Sequence, residues 1–183
     1  MRIIAGEKGG LHFHPPSGMT NTRPTTDLAK EGLFNVLENN LEFSALKTLD
    51  IFGGTGSISY ELASRGVTDL TTVEKDRNMA DFMKKTSAEL GIPLKVHCMD
   101  VFAYLAQCTE QFDLIFADPP YGMPNLDKLP GLIFEHNLLP PEGWFVLEHT
   151  RNIDFKKYSY YRSERNYGST IFSIFINREE LKK

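Results

Sequence analysis

The chain has 183 residues, 41% of them hydrophobic, and a formal net charge of −4 from 20 Lys/Arg and 24 Asp/Glu. That length suits one domain with a substantial core, and no apolar run approaches the roughly 20 residues that span a bilayer. The acidic total excludes a protein that grips naked nucleic acid nonspecifically, because neutralising phosphate takes a basic surface.

Segments 2–5 and 11–14, separated by Gly6, Gly9 and Gly10, predict a small hairpin. A Pro/Gly loop follows, and then Arg23-Pro24-Thr25-Thr26-Asp27 precedes an apolar set at Leu28, Phe34, Leu37 and Leu41. One of those hydroxyl or carboxylate side chains is expected to cap a helix there. Gly32 inside that helix should cost about 1 kcal/mol relative to alanine. From about residue 45, strands predicted at 47–52, 70–73, 94–98, 112–117 and 144–148 alternate with helices at 57–65, 77–90, 101–107 and around 128–136. That alternation implies βαβ units and a largely parallel sheet. Segments 158–162 and 170–177 predict a closing hairpin that turns near Asn166-Tyr167-Gly168. The expected organisation is a single domain, with residues 1–45 as an N-terminal extension and residues 46–183 as the core.

Two strand ends carry the chemistry. Asp50-Ile51-Phe52-Gly53-Gly54-Thr55-Gly56 ends the first predicted strand and opens a helix, where an open α/β sheet binds its ligand. Glycine lets the backbone approach that ligand closely. The segment is neither GxGxxG nor a P-loop, and Asp50 beside it would repel a pyrophosphate but favour an ammonium or a sulfonium. Glu74 closes the second strand, where a carboxylate can accept both hydroxyls of a ribose. Asp100 after the third strand can accept from an adenine amino group, cap the helix at Val101, or do both. Asp118-Pro119-Pro120-Tyr121 follows the fourth strand. A carboxylate and the Pro119 carbonyl there can draw the protons of an exocyclic amino group, freeing its delocalised lone pair, while Tyr121 stacks on the base. Asp118, Pro119, Pro120 and Tyr121 are therefore the candidate catalytic set.

Cys98 and Cys108 form no CxxC pair and read as buried thiols. The histidines are scattered, with His12 and His14 alone sharing a strand face, so no metal site is expected. Segment 151–183 carries eight Lys/Arg against four acids, a local +4. Its Lys156, Lys157, Arg162 and Arg165 are interleaved with Tyr158, Tyr160, Tyr161 and Tyr167. That pattern reads either as a track for phosphates and bases or as an edge hairpin whose tyrosines pack on the sheet.

The glycine turn, Glu74 and Asp118 to Tyr121 together resemble the class I S-adenosylmethionine-dependent methyltransferases, a Rossmann-like fold. The likeness extends to Met1-Arg2-Ile3-Ile4-Ala5-Gly6, to Arg23-Pro24-Thr25-Thr26-Asp27, to Glu31 and to Leu33-Phe34-Asn35, and so nearly the whole chain is similar to the bacterial RsmD-type 16S rRNA guanine-N2 methyltransferases. The resemblance implies a seven-stranded sheet with a final antiparallel hairpin, S-adenosylmethionine as cofactor and 2-methylguanosine as product. It assigns the cofactor to Asp50, Phe52, Gly53, Gly54, Gly56, Glu74, Lys75, Asp100 and Val101. Arg23, Thr25 and Thr26 become substrate-side or lid residues, and Lys156 and Lys157 are added from the basic tail. The expected partner is 16S rRNA within an assembling 30S particle, and the expected state is a cytoplasmic monomer. Two departures stand out. The hairpin keeps one lysine, Lys8, where the family is rich in Arg and Lys, and the turn reads Phe-Gly-Gly-Thr-Gly where Phe-Ala-Gly-Ser-Gly is usual. Competing readings are DNA adenine or cytosine amino-methylation, methylation of a protein glutamine, and a catalytically silent cofactor-binding assembly factor.

Overall fold

Five parallel strands, β1 (Lys47–Ile51), β2 (Asp69–Glu74), β3 (Leu94–Cys98), β4 (Leu114–Ala117) and β5 (Trp144–His149), form most of one sheet. An antiparallel pair, β6 (Tyr161–Tyr167) and β7 (Thr170–Ile176), completes it in the order β3-β2-β1-β4-β5-β7-β6. The computed structural model describes residues 1–15 and 25–178. Every residue of β4, β5 and β7 is buried. A sheet covered on both faces selects such continuous apolar runs.

Helices α1 (Asp27–Glu38), α2 (Ser57–Ser64) and α3 (Arg77–Glu89) cover one face, and α4 (Val101–Gln107) and α5 (Leu129–Glu135) the other. Strand alternation distributes the side chains. Val146 and Ile174 join Leu33, Phe34 and Ile58, whereas Phe145, Leu147 and Phe175 join Leu105, Leu129 and Ile133. The Thr26 side chain caps α1 by accepting from Ala29 N, and Asp76 and Asp100 cap α3 and α4 in the same way. No helix among the described residues is long and apolar enough to cross a membrane.

The first residues form a hairpin with a single antiparallel bridge between Arg2 and His12. Backbone bonds from Ile3 N to Leu11 O and from Phe13 N to Met1 O close it. It is tied to α2 by Glu61, which is fully buried and accepts from Ile4 N, Ala5 N and Arg65 Nε, with Lys30 Nζ at 3.4 Å. Lys30 also donates to the carbonyl of Arg2 and to Ser57 Oγ. Burial lowers the Lys30 pKa, and Glu61 opposes that shift.

Several expectations are corrected. Leu28 is 71% exposed, so the buried stripe of α1 is Ala29, Leu33, Phe34 and Leu37. Cys98 is exposed and Cys108 half-exposed, because both stand at solvent-facing ends of their elements. The fourth strand starts at Leu114, since Asp113 turns its carboxylate back to accept from Lys47 N. The sixth starts at Tyr161 rather than 158, because Tyr160 stacks on Phe134 at 3.9 Å and the Tyr158 hydroxyl donates to the carbonyl of Asp127. The tyrosines of this tail pack on the core: Tyr158, Tyr160 and Tyr161 on the α4/α5 side and Tyr167 on the other.

Candidate active site

β1 and β4 are neighbours in the sheet, but the chain leaves them in opposite directions, so the strand order reverses between them. A crevice opens at the carboxyl ends of the strands at such a point. The register pairs Asp50 with Phe116 and Ile51 with Ala117. The glycine turn and Asp118 therefore emerge side by side.

The turn is tightly specified. Phe52 N and Gly53 N both donate to the carbonyl of Val73, and Gly56 N donates to Gly53. A Cβ at Gly53 would lie 2.1 Å from Thr72 Oγ1, and one at Gly56, where φ is +84°, would meet the Tyr60 ring at 2.6 Å. Gly54, at φ +54°, faces open space, its nearest neighbour a carbonyl 3.8 Å away. Phe52 adopts φ +70°, a conformation that costs a bulky residue about 1–3 kcal/mol.

Glu74 holds this turn from the next strand. Its Oε2 accepts from Gly54 N at 2.9 Å and its Oε1 from Asp76 N at 2.8 Å. Each carboxylate oxygen retains a further lone pair. Lys75 and Asp100 are exposed beyond it, Asp100 capping α4 through Ala103 N, and Val101 is buried between them and the core. Asp50 lies beneath the turn, 3% exposed, and accepts from Ser59 Oγ at 2.7 Å. Burial pushes its pKa up to about 7, the Ser59 bond opposing and the Glu74 charge reinforcing the shift.

On the β4 side, Asp118 keeps partial solvent exposure at the mouth of the crevice. Burial by its surroundings raises its pKa well above the ordinary aspartate value of 3.8; Glu148 and Asp50 add to that, and the Thr25 hydroxyl opposes it. Pro119 is buried, Pro120 is exposed, and the Tyr121 ring is 44% exposed over a small cavity of about 80 Å³ lined also by Met123, Glu148, His149 and Ile153. A larger groove, about 640 Å³, lies between the N-terminal hairpin and α3, away from these groups and lined by mixed charges including Asp81, Lys85 and Glu89.

Of the residues expected on the substrate side, Thr25 is brought beside the strand ends, donating to Glu148 Oε2 at 2.6 Å across 123 residues of sequence. The Thr26 hydroxyl is given to the helix cap, and Arg23 lies outside the described residues. Lys156 and Lys157 are exposed just past the segment that lines the small cavity; Lys156 is 3.6 Å from Glu164, and Lys157 lies over the Tyr158 ring.

Sequence reasoning missed Glu148 and His149. Glu148 is 1% exposed at the penultimate position of β5, a charged residue after the apolar run Trp144-Phe145-Val146-Leu147, and that signal was available. His149 is held by the carbonyl of Thr150 at 2.7 Å and by Ser173 Oγ at 2.8 Å; burial lowers its pKa, and the Thr150 bond opposes that shift. Among the described residues, no group of three or more His, Cys, Asp or Glu is arranged to hold a metal.

This architecture has close counterparts. A Haemophilus influenzae protein named ribosomal RNA small subunit methyltransferase D is 32% identical over 81% of this chain and 78% of its own length. The solved structure of a hypothetical protein from Thermus thermophilus superposes with a TM-score of 0.82 at 25% identity, covering 96% of this chain and 98% of that one. An RNA methyltransferase from Salinibacter ruber, solved with S-adenosyl-L-homocysteine, shares the Rossmann-like fold, with a TM-score of 0.64 at 17% identity over 88% of this chain and 97% of that one. The family model described as conserved hypothetical protein 95 matches residues 1–176, and the chain belongs to that family.

Proposed function

We propose that this chain transfers a methyl group from S-adenosylmethionine to the exocyclic N2 of a guanine in small-subunit ribosomal RNA. The observation that carries this reading is the placement of the glycine turn and Asp118-Pro119-Pro120-Tyr121 on adjacent strand ends. Its relatives' activity agrees with that placement.

The residues present fit the cofactor. Gly54 leaves the space above the turn open, and Glu74, fixed by backbone donors, keeps lone pairs for ribose hydroxyls. Asp100 presents a carboxylate to an amino group, Lys75 offers backbone, and Val101 gives an apolar floor. Bound there, S-adenosylmethionine supplies an electrophilic methyl carbon that the amino nitrogen takes, with S-adenosylhomocysteine as the by-product.

The chain's own groups deal with the nucleophile. A guanine amino group is a poor nucleophile because its lone pair is delocalised into the ring. Asp118 and the Pro119 carbonyl accept its two N–H bonds, which turns the nitrogen toward sp3 geometry and holds it in place. Burial, which raises the Asp118 pKa, makes its ionised form a stronger base toward the proton released as the new N–C bond forms. Tyr121, exposed at the rim, stacks on a base flipped out of its helix or loop, and Pro120 stiffens the tetrapeptide. The acidic overall charge favours an assembled 30S particle, in which ribosomal proteins supply contacts that a basic surface would otherwise make.

The test is transfer of labelled methyl to unmodified 30S particles, protein-free 16S rRNA and duplex DNA in parallel. Label should appear as 2-methylguanosine in RNA and fall at least about 100-fold with Asp118→Ala, the scale of losing a group that stabilises the transition state. Label confined to DNA, or none in any of the three, would overturn the reading.

A further inference from the structure

We propose that Glu148 selects guanine, its carboxylate accepting the N1–H of the target base while Asp118 takes the neighbouring amino group. This rests on the methyl-transfer reading above and names what chooses the base.

Parallel pairing of Ala117 with Leu147 makes Asp118 and Glu148 the next residues on adjacent strands. Strand axes lie about 4.8 Å apart, so two carboxylates at that edge can each take one donor from neighbouring positions of a flat base. Glu148 is 1% exposed and lines the small cavity together with Pro119 and Tyr121. The Thr25 hydroxyl, donating to Glu148 Oε2 and resting against Asp118, ties the pair together.

Among the bases, guanine presents two donors side by side on this edge, N1–H and the 2-amino group. Adenine sets an acceptor, N1, beside its amino group, and cytosine does the same with N3. Against Glu148 either would place lone pair against carboxylate in a site shielded from water, a mismatch that binding energy elsewhere does not recover. The tetrapeptide alone recognises an amino group; Glu148, near the carboxyl end of β5, then distinguishes which base carries it.

The experiment uses 30S particles reconstituted with 16S rRNA bearing either guanine or 2-aminopurine at the nucleotide the wild-type protein methylates. 2-Aminopurine keeps the 2-amino group but has an acceptor at N1. Wild type should prefer guanine by at least about 100-fold, as expected for a site built around a donor. Glu148→Gln can still accept from Thr25 through its carbonyl while offering N–H to the base, so its preference should shift toward 2-aminopurine by at least about 100-fold. Binding of S-adenosylhomocysteine should stay at the wild-type level. An unchanged guanine to 2-aminopurine ratio, or an equal loss on both, overturns the proposal. Should Glu148→Gln not fold, Glu148→Asp carries the test: withdrawing the carboxylate by one methylene should cut the ratio at least about tenfold, and an unchanged ratio overturns the proposal. Wild type inactive on guanine would overturn the methyl-transfer reading instead, and the proposal with it.

Discussion

Asp50 sits beneath the glycine turn with a pKa of about 7 against 3.8 for an ordinary aspartate, because burial disfavours its charged form. A carboxyl whose folded pKa lies above its unfolded value contributes stability that is fully present below the unfolded value. That contribution is lost as pH rises through about 7. Asp50→Asn, which can still accept from Ser59, should therefore make the ligand-free protein more stable by up to about 4 kcal/mol near pH 8, with the gap closing toward pH 4. Urea unfolding of both proteins across that range measures it; a gap independent of pH would assign the titration to another group. The glycines and prolines at strand ends were readable because their signals are local. The depth of Asp50 and the bond from Thr25 to Glu148, 123 residues apart, depend on how distant segments meet.

At the scale of elements, hydrophobic periodicity placed all five parallel strands and the helices between them within about three residues, because each element's pattern answers to the layer it packs on. It failed where a distant partner decides, and Gly32 is the clearest case. On propensity alone alanine would improve α1 by about 1 kcal/mol. The structure sets the tip of Tyr167, the last residue of β6, against Gly32, so a Cβ there would lie 2.3 Å from the ring. Gly32→Ala should thus destabilise by about 1–3 kcal/mol through overpacking. In the Tyr167→Ala background the same change should be neutral or stabilising. A double-mutant cycle on unfolding free energies gives the coupling directly. Additive effects would show that α1 and β6 do not constrain each other.

For the molecule as a whole, the question is how a chain with net charge −4 holds RNA. The sequence offers a local +4 from Arg151 onward, but the fold engages much of it: Lys156 with Glu164, Arg178 with Glu142 at 2.6 Å, Arg162 with the carbonyl of Arg178, and Arg165 with the carbonyl of Glu164. The interleaved tyrosines are partly buried and packed against the core rather than arrayed to stack on bases. Each phosphate contact to a single strand steepens the dependence of log affinity on log salt by about 0.7, so a protein making few of them binds protein-free RNA weakly with a shallow slope. Near 150 mM salt we expect methylation of 30S particles to exceed that of protein-free 16S rRNA by at least about tenfold, the difference narrowing as salt is lowered. Reversing Lys156 and Lys157 to glutamate should weaken RNA binding and flatten the salt slope by about 1 to 2 if both touch phosphate. Their exposure beside the segment that lines the small cavity is the reason to test these two first. An unchanged slope with unchanged methylation would remove them from the RNA-binding surface and leave the strand-end crevice, with contacts from the particle, to position the substrate.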